Sequence, residues 1–210
     1  MSRVRAGGRG RRPMGSQTYE LQWYGPYKWY GTTDDCIFTR SEAKKSGIYL
    51  WTIPFKKQYL TYYVGETGKS FASRHIWHAR DYLHGLYRVY HPHQFGQGTK
   101  ILVWGGMWKP GRRGAHHMLE FLNQYPELSS VIYEFLGKFS IFLAPLDVKE
   151  RVRKRIEAAV ANRLYEQPGL FGKFQDTDIR YHPRQPDEEP ISVTMVSFEP
   201  ILGLCSELTA

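Results

Sequence analysis

This sequence predicts an α/β (α+β) fold, a small central β-sheet flanked by helices and carrying a large insertion. Three observations predict it. Two runs rich in β-branched and aromatic residues, Gly47 to Ile53 and Tyr59 to Val64, are joined by the polar link "PFKKQ". Two later stretches place apolar residues at helical spacing, with the strand-like "KFSIFLAP" between them. Residues 85–138 exceed what a connection from the first helix to that strand requires, and so form an insertion. The 210 residues are 41 % hydrophobic and 15 % aromatic, so the chain can bury a sizeable core and is not of the disordered class.

The elements follow in order. Residues 1–18 read as a flexible basic arm, because "MSRVRAGGRGRRPMGSQ" lacks the apolar stretch of a signal peptide and is too rich in glycine for an amphipathic transit helix; residues 19–210 read as one domain. Net charge is +9, of which Arg3, Arg5, Arg9, Arg11 and Arg12 supply five, leaving 9 − 5 = +4 for the rest. A basic excess with many rings points to a polyanion partner, most often nucleic acid. No apolar run approaches the roughly 20 residues of a membrane span. Cys36 and Cys205 offer neither a disulfide framework nor zinc-type spacing, which points to a reducing, cytoplasmic setting.

With Pro54 to Gln58 as its loop, the hairpin pairs Ile53 with Tyr59 and places Tyr49 opposite Tyr63 on one side of the sheet. After the turn "GETGKS", Ala72, Ile76, Ala79 and Leu83 form a helical stripe closed by Gly85, which leaves Arg74 and His78 on the outward face. Within the insertion, "KILVW" reads as a strand and "GGMWKPGRRG" as a loop exposing Trp108, Lys109, Arg112 and Arg113, an aromatic and basic set suited to a DNA groove, so residues 85–138 are where a DNA target is expected to be read. Ala115, Met118, Leu119 and Leu122 then have helical spacing, and a second helix runs from Pro126 to Leu136. Past Pro145, Asp147 to Glu150 resembles a capping box; Val148, Val152, Ile156, Val160 and Leu164 stripe the helix whose edge carries Glu157. Beyond Pro168 the chain is turn-rich until the strand "ISVTMVSF".

The order "GIY", "YVG", a helix with Arg74 and His78, a strand, then a helix with Glu157 resembles the GIY-YIG nuclease superfamily, over Gly47 to His84 and Phe139 to Gln167. The compact form, with no separate binding domain in view, is most like its stand-alone type II restriction endonucleases. The resemblance implies that Tyr49, the GIY tyrosine, activates water, that Tyr63 orients the phosphate or Tyr49, and that Arg74 and His78 are catalytic. It further implies that Glu157 holds Mg²⁺, with Mn²⁺ as a substitute. One position departs from the pattern: the asparagine expected about a dozen residues past the glutamate is absent from "EQPGLFGKF"; Asn162, five residues past Glu157 and roughly 140° around the helix, is a poor substitute, which leaves Gln167 or loss of the role.

The chemistry is consistent with these types. Phosphodiester hydrolysis needs an activated water, charge stabilisation on the phosphoryl oxygens and help for the leaving oxygen. A hard carboxylate suits Mg²⁺, a guanidinium forks onto phosphate oxygens, and a phenol becomes a base where a cation lowers its pKa. Taken singly, Tyr49 and Tyr63 also fit a packed cross-strand pair, and Glu157 fits an ion pair with Arg153. His91, His93, His116 and His117 lack zinc spacing and read as surface or loop histidines, while Lys69 suits either a phosphate or plain solvent. The expected partner is double-stranded DNA, bound by a homodimer. Two other functions fit the same residues: a nucleic-acid-binding module without catalysis, and a nuclease for RNA or branched DNA.

Overall fold

The computed structural model describes residues 17–31, 34–177 and 179–210; the five arginines of the basic arm lie outside them. In chain order the elements are β1 (Gln17–Tyr27), β2 (Gly47–Phe55), β3 (Gln58–Thr67), α1 (Phe71–Leu83), β4 (Val89–Tyr90), α2 (Pro92–Gly96), β5 (Leu102–Trp104), α3 (Ala115–Gly137), β6 (Ser140–Pro145), α4 (Glu150–Tyr165), α5 (Leu170–Phe174), β7 (Ile191–Ser197) and β8 (Glu207–Thr209). Six strands form one sheet in the order β3-β2-β6-β1-β7-β8, and β4 with β5 makes a separate ribbon. The fold is therefore mixed α+β, as the sequence predicts.

Strand β2 lies inside the sheet and is covered on both faces. Tyr49, Trp51 and Ile53 join one core with residues of α1, α2 and α3, while Ile48 and Leu50 join a second core with Ile156, Val160 and Leu164 of α4. Burial on both sides explains why "GIYLWTI" is almost continuously apolar and does not alternate. The two glycine-bearing strands are held differently. At Gly47, with φ +150°, a Cβ would sit 2.2 Å from the Ala144 carbonyl oxygen, so β6 can approach β2 only over a glycine.

The hairpin is tighter than its sequence suggests. Lys56 and Lys57 form a two-residue turn with φ 46° and 62°, and Phe55 pairs with Gln58. Left-handed residues at both central positions match the twist of the strands, so the loop closes without Pro54 and Gln58. A bulge then absorbs Tyr62: Thr52 pairs with Thr61, but Trp51 pairs with Tyr63 and Tyr49 with Gly65. Tyr49 and Tyr63 are thus diagonal neighbours on one face and not directly opposed, with ring centroids 5.9 Å apart.

Helix α1 begins at Ser70, whose hydroxyl accepts from the Ser73 N–H at 3.1 Å. It ends as anticipated at Gly85, φ +70°, with Gly85 N–H donating to Tyr82 O and Leu86 N–H to Asp81 O. Its buried face is rotated from the expected one. Phe71, His75, His78 and Tyr82 point inward, while Ile76 and Leu83 are 44 % and 42 % exposed. Rings bury more surface than the Ala72 and Ala79 methyls, and both histidines find hydrogen-bond partners on β2, so the aromatic stripe wins.

Three other expectations change. The two helices of the insertion are one, α3, with Pro126 inside it; the carbonyl that proline orphans belongs to Leu122, which is 55 % exposed and open to water. Met118, Leu119 and Leu122 face outward for the same reason, since Phe121, Leu128, Ile132 and Phe135 form the buried side. Helix α4 starts at Glu150 without a side-chain cap, because its N-cap position falls on Lys149, whose side chain has no acceptor, and Asp147 stays outside the helix. Gln17 and Thr18 belong to β1, which pairs in parallel with β7 from Gln17–Ile191 to Trp23–Ser197. No helix among the described residues is long and apolar enough to cross a membrane.

Candidate active site

Tyr49 projects from β2 under α1, fully buried, and lies over Gly65 of the paired strand. A Cβ at Gly65 would stand 2.3 Å from Tyr49 Cζ, 2.4 Å from its hydroxyl and 2.7 Å from Tyr63 Cε1. The glycine of "YVG" is therefore the space in which the two phenols meet. From α1, His78 Nε2 approaches Tyr49 Oη to 2.7 Å, and Arg74 Nε donates to the same oxygen at 3.3 Å. The structure brings Tyr49, Tyr63, Arg74 and His78 together, with His78 buried and Arg74 half-buried, not on the outward face of α1.

The electrostatics make this group neutral except for Arg74. Burial holds the Tyr49 phenol well above its usual pKa, with Tyr63 adding to the rise and Arg74 opposing it. Burial, followed by the Arg74 charge and His75, holds His78 well below the usual imidazole value. A neutral phenol has one proton to donate, and Arg74 can only donate, so Tyr49 O–H points at His78 Nε2. The imidazole proton then lies on Nδ1, an atom with no hydrogen-bond partner among the described residues. Tyr63 is partly exposed; burial raises its pKa, Arg74 lowers it, and the Glu157 carboxylate raises it.

Glu157 comes from the other side of the sheet. Strand β3 is the sheet edge, and α4 packs on the face opposite Tyr49, so the carboxylate meets the rest across that edge. Its pKa is pushed up to about 8, first by burial and then by the Glu66 carboxylate, with the Glu66 backbone amide and Arg74 opposing. Arg153 does not neutralise it. That guanidinium pairs with Glu66 at 2.5 Å and fills the space left by Gly68, where a Cβ would be 2.6 Å from Nη2. A carboxyl disfavoured as an anion by burial and a like charge is relieved by a cation as well as by a proton.

The residues present fit a single Mg²⁺ or Mn²⁺. Among the described residues no group of three or more His, Cys, Asp or Glu side chains gathers for a metal. Mg²⁺ does not require one, since it usually keeps several waters and takes one or two protein oxygens plus substrate phosphate. Neither stand-in for the absent asparagine reaches the site. Gln167 donates to the Arg163 carbonyl at 3.2 Å and packs on Gly203, and Asn162 lines a separate cleft of about 480 Å³ with Arg155 and Arg163.

Side chains that no motif announced complete the edge. Asp176 N–H donates to the Tyr62 carbonyl at 2.7 Å and the Tyr181 hydroxyl to the Val64 carbonyl at 3.2 Å, covering backbone that a free edge would expose. Tyr165 and Tyr181 hydroxyls are 3.3 Å apart. Under Tyr49, His75 Nε2 accepts from Trp51 Nε1 at 3.1 Å, so its Nδ1–H donates to the Phe71 carbonyl at 2.8 Å. Tyr63, Arg74 and His78 open into a cavity of about 450 Å³ that continues past Tyr87 to Trp108 and Lys109. Arg113 donates twice to the Trp108 carbonyl, at 2.9 and 2.6 Å, and Arg112 packs beneath Gly105 and Trp104, so both arginines shape the loop from within. Lys69 is exposed, its ammonium 4.4 Å from the Trp77 ring.

Comparison of the chain with protein-family models, curated proteins and solved structures returns no match in any of the three.

Proposed function

We propose that this chain is a metal-dependent endonuclease that hydrolyses phosphodiester bonds at specific sites in double-stranded DNA, in the manner of a type II restriction enzyme of the GIY-YIG superfamily. The observation that carries the reading is the meeting of Tyr49, His78, Arg74 and Tyr63 at the edge of β3, with an unneutralised Glu157 carboxyl across that edge. Ordinary cross-strand packing of two phenols does not account for a half-buried guanidinium and a buried imidazole on one hydroxyl.

Attack of water on phosphorus requires a proton to leave the water and negative charge on the phosphoryl oxygens to be carried. Tyr49 and His78 can take that proton without prior ionisation: as one arrives on Tyr49 Oη, the phenolic proton passes to His78 Nε2. Tyr49 is fully buried and Tyr63 lines the cavity, so the proton travels by way of the Tyr63 hydroxyl, which lies within reach of Tyr49. Arg74 faces the cavity beside both phenols and serves the phosphoryl oxygens. Mg²⁺ held by Glu157, with Mn²⁺ as a substitute, supplies charge to the phosphoryl group and the leaving oxygen when bound.

Each chain carries one such site and a duplex has two antiparallel strands, so cutting both favours a two-fold homodimer on the DNA. Cys36 and Cys205 are both free thiols, which supports work in a reducing cytoplasm. Incubation with plasmid in Mg²⁺, then with chelator, tests the function. Discrete bands that vanish with chelator are expected; a gel shift with no cutting would make the chain a binding module.

A further inference from the structure

Beyond the catalytic residues, the cavity has chemistry that phosphodiester hydrolysis does not use. At its far end Trp108 is 58 % exposed, although its carbonyl is anchored by Arg113. Tyr87 stands 6.0 Å from the Trp108 ring at 46° and the Arg113 guanidinium lies 5.6 Å from the same ring, and the exposure that remains leaves indole surface for another ring. Asp176 and Arg88 line the same space and keep 29 % and 25 % of their side chains exposed. Thr177 holds these two side by side: its N–H donates to Asp176 Oδ1 and its hydroxyl accepts from Arg88 Nη1, each at 2.9 Å. The carboxylate and guanidinium end 4.0 Å apart. A carboxylate has about four acceptor sites, so Thr177 and the neighbouring Tyr62 hydroxyl leave Asp176 able to accept more.

We propose that this end of the cavity takes one unstacked guanine of the bound strand, next to the scissile phosphate, with its ring on Trp108 and Tyr87. Asp176 accepts from its N1–H and N2–H₂, and Arg88 donates to O6. Flipped or unpaired bases are read in this way, by stacking and by hydrogen bonds to the pairing edge. Guanine alone among the four bases presents two adjacent donors beside an acceptor on that edge, which is the complement of a carboxylate beside a guanidinium. The cavity volume of about 450 Å³ lies within the about 300 to 1,000 Å³ of small-molecule pockets. The inference rests on the nuclease reading for the identity of the strand and its scissile phosphate, while the stacking and edge groups stand apart from catalysis.

The test is binding of fluorescein-labelled pentanucleotides with abasic flanks and one central base, or none, by anisotropy in chelator so that nothing is cut. The guanine oligomer should bind at least about tenfold more tightly than those with adenine, cytosine, thymine or no base. Trp108→Ala should weaken guanine binding by about 5- to 150-fold and leave the base-free oligomer unchanged. Asp176→Asn should abolish the preference for guanine; because Trp108 is exposed, Trp108→Ala decides the matter should the Asp176 variant fail to fold. Equal binding of all five oligomers, or tightest binding of another base, overturns the proposal. Guanine selectivity without plasmid cutting would keep the pocket and sink the nuclease, and cutting without selectivity would do the reverse.

Discussion

Tyr49 Oη lies 2.7 Å from His78 Nε2, and neither residue is open to solvent: Tyr49 is 0 % and His78 3 % exposed. Burial keeps both the phenol and the imidazole neutral, so in the proposed mechanism they act as a proton relay and not as a pre-ionised base. Because Tyr63 is the phenol that faces the cavity, the relay has an outer and an inner member.

Both members should therefore matter. Tyr49→Phe should lower the single-turnover rate by about 10²- to 10⁴-fold, the usual worth of a positioned acid or base. It also leaves His78 and Arg74 without their shared partner, a loss of about 1 to 3 kcal/mol in stability. Tyr63→Phe should reduce the rate comparably. Wild-type cutting by the Tyr63 variant would show that the proton does not leave through that hydroxyl.

If Glu157 holds the metal as proposed, Glu157→Gln should abolish cleavage while DNA affinity stays within a few-fold of wild type, since it removes a carboxylate and no phosphate-neutralising cation. Turnover and gel-shift measurements on the same preparation check this. Undiminished cutting in Mg²⁺ would end the metal role of Glu157.

Arg74→Ala should damage turnover more than binding, because a guanidinium on the phosphoryl oxygens gains strength as charge develops there. A change in the binding constant alone, with an untouched single-turnover rate, would make Arg74 a docking residue.

Gly65→Ala should destabilise the fold by about 1 to 3 kcal/mol, the usual cost of overpacking, because its methyl would enter the Tyr49 ring and hydroxyl at 2.3 and 2.4 Å. A urea midpoint equal to wild type would mean that β3 shifts freely, contrary to its pairing with β2.

On mild acidification His75 should subtract from stability, while Glu157, its pKa raised from 4.5 to about 8, adds to it over much of the same range. His75 has its pKa lowered from 6.5 to about 4, chiefly by burial, so the folded state resists a proton that the unfolded chain accepts. The unfolded state binds more protons between those values, and stability is lost as pH drops from about 6.5 towards 4, by at most about 3 kcal/mol for this residue. Protonating Nε2 would also turn an N–H against the N–H of Trp51. His78, lowered for the same reason, adds to the loss over the same range. Urea midpoints of the wild type and of His75→Gln, which does not titrate, at pH 7.5, 6 and 5 isolate the His75 share: the wild type should lose stability relative to the variant as pH falls, and a constant difference would refute it.

What the sequence by itself determined is the local content. The β-branched runs became β2 and β3, "KFSIFLAP" became β6, the stripe through Ile156, Val160 and Leu164 became the buried side of α4, and Gly85 ended α1, since period and cap chemistry depend on neighbours a few residues apart. The tripeptides, Arg74, His78 and Glu157 stood out through the resemblance to a nuclease superfamily and not through period or cap chemistry, which put Arg74 and His78 on the outward face of α1. Tertiary structure alone decided which faces these elements turn to one another. Two amphipathic stripes compete on α1, and the choice went to Phe71, His75, His78 and Tyr82 because Tyr49 and Trp51 of β2 offered the histidines hydrogen bonds. The bulge at Tyr62 set Tyr49 over Gly65, a register that no alternation of residues encodes. The pairing of β1 with β7, the cover of the β3 edge by Asp176 and Tyr181, and the diversion of Arg153 to Glu66 join residues far apart in the chain, where sequence spacing carries no distance. Glu157 thus reaches the phenols around a sheet edge, a route set by sheet order and not by any motif.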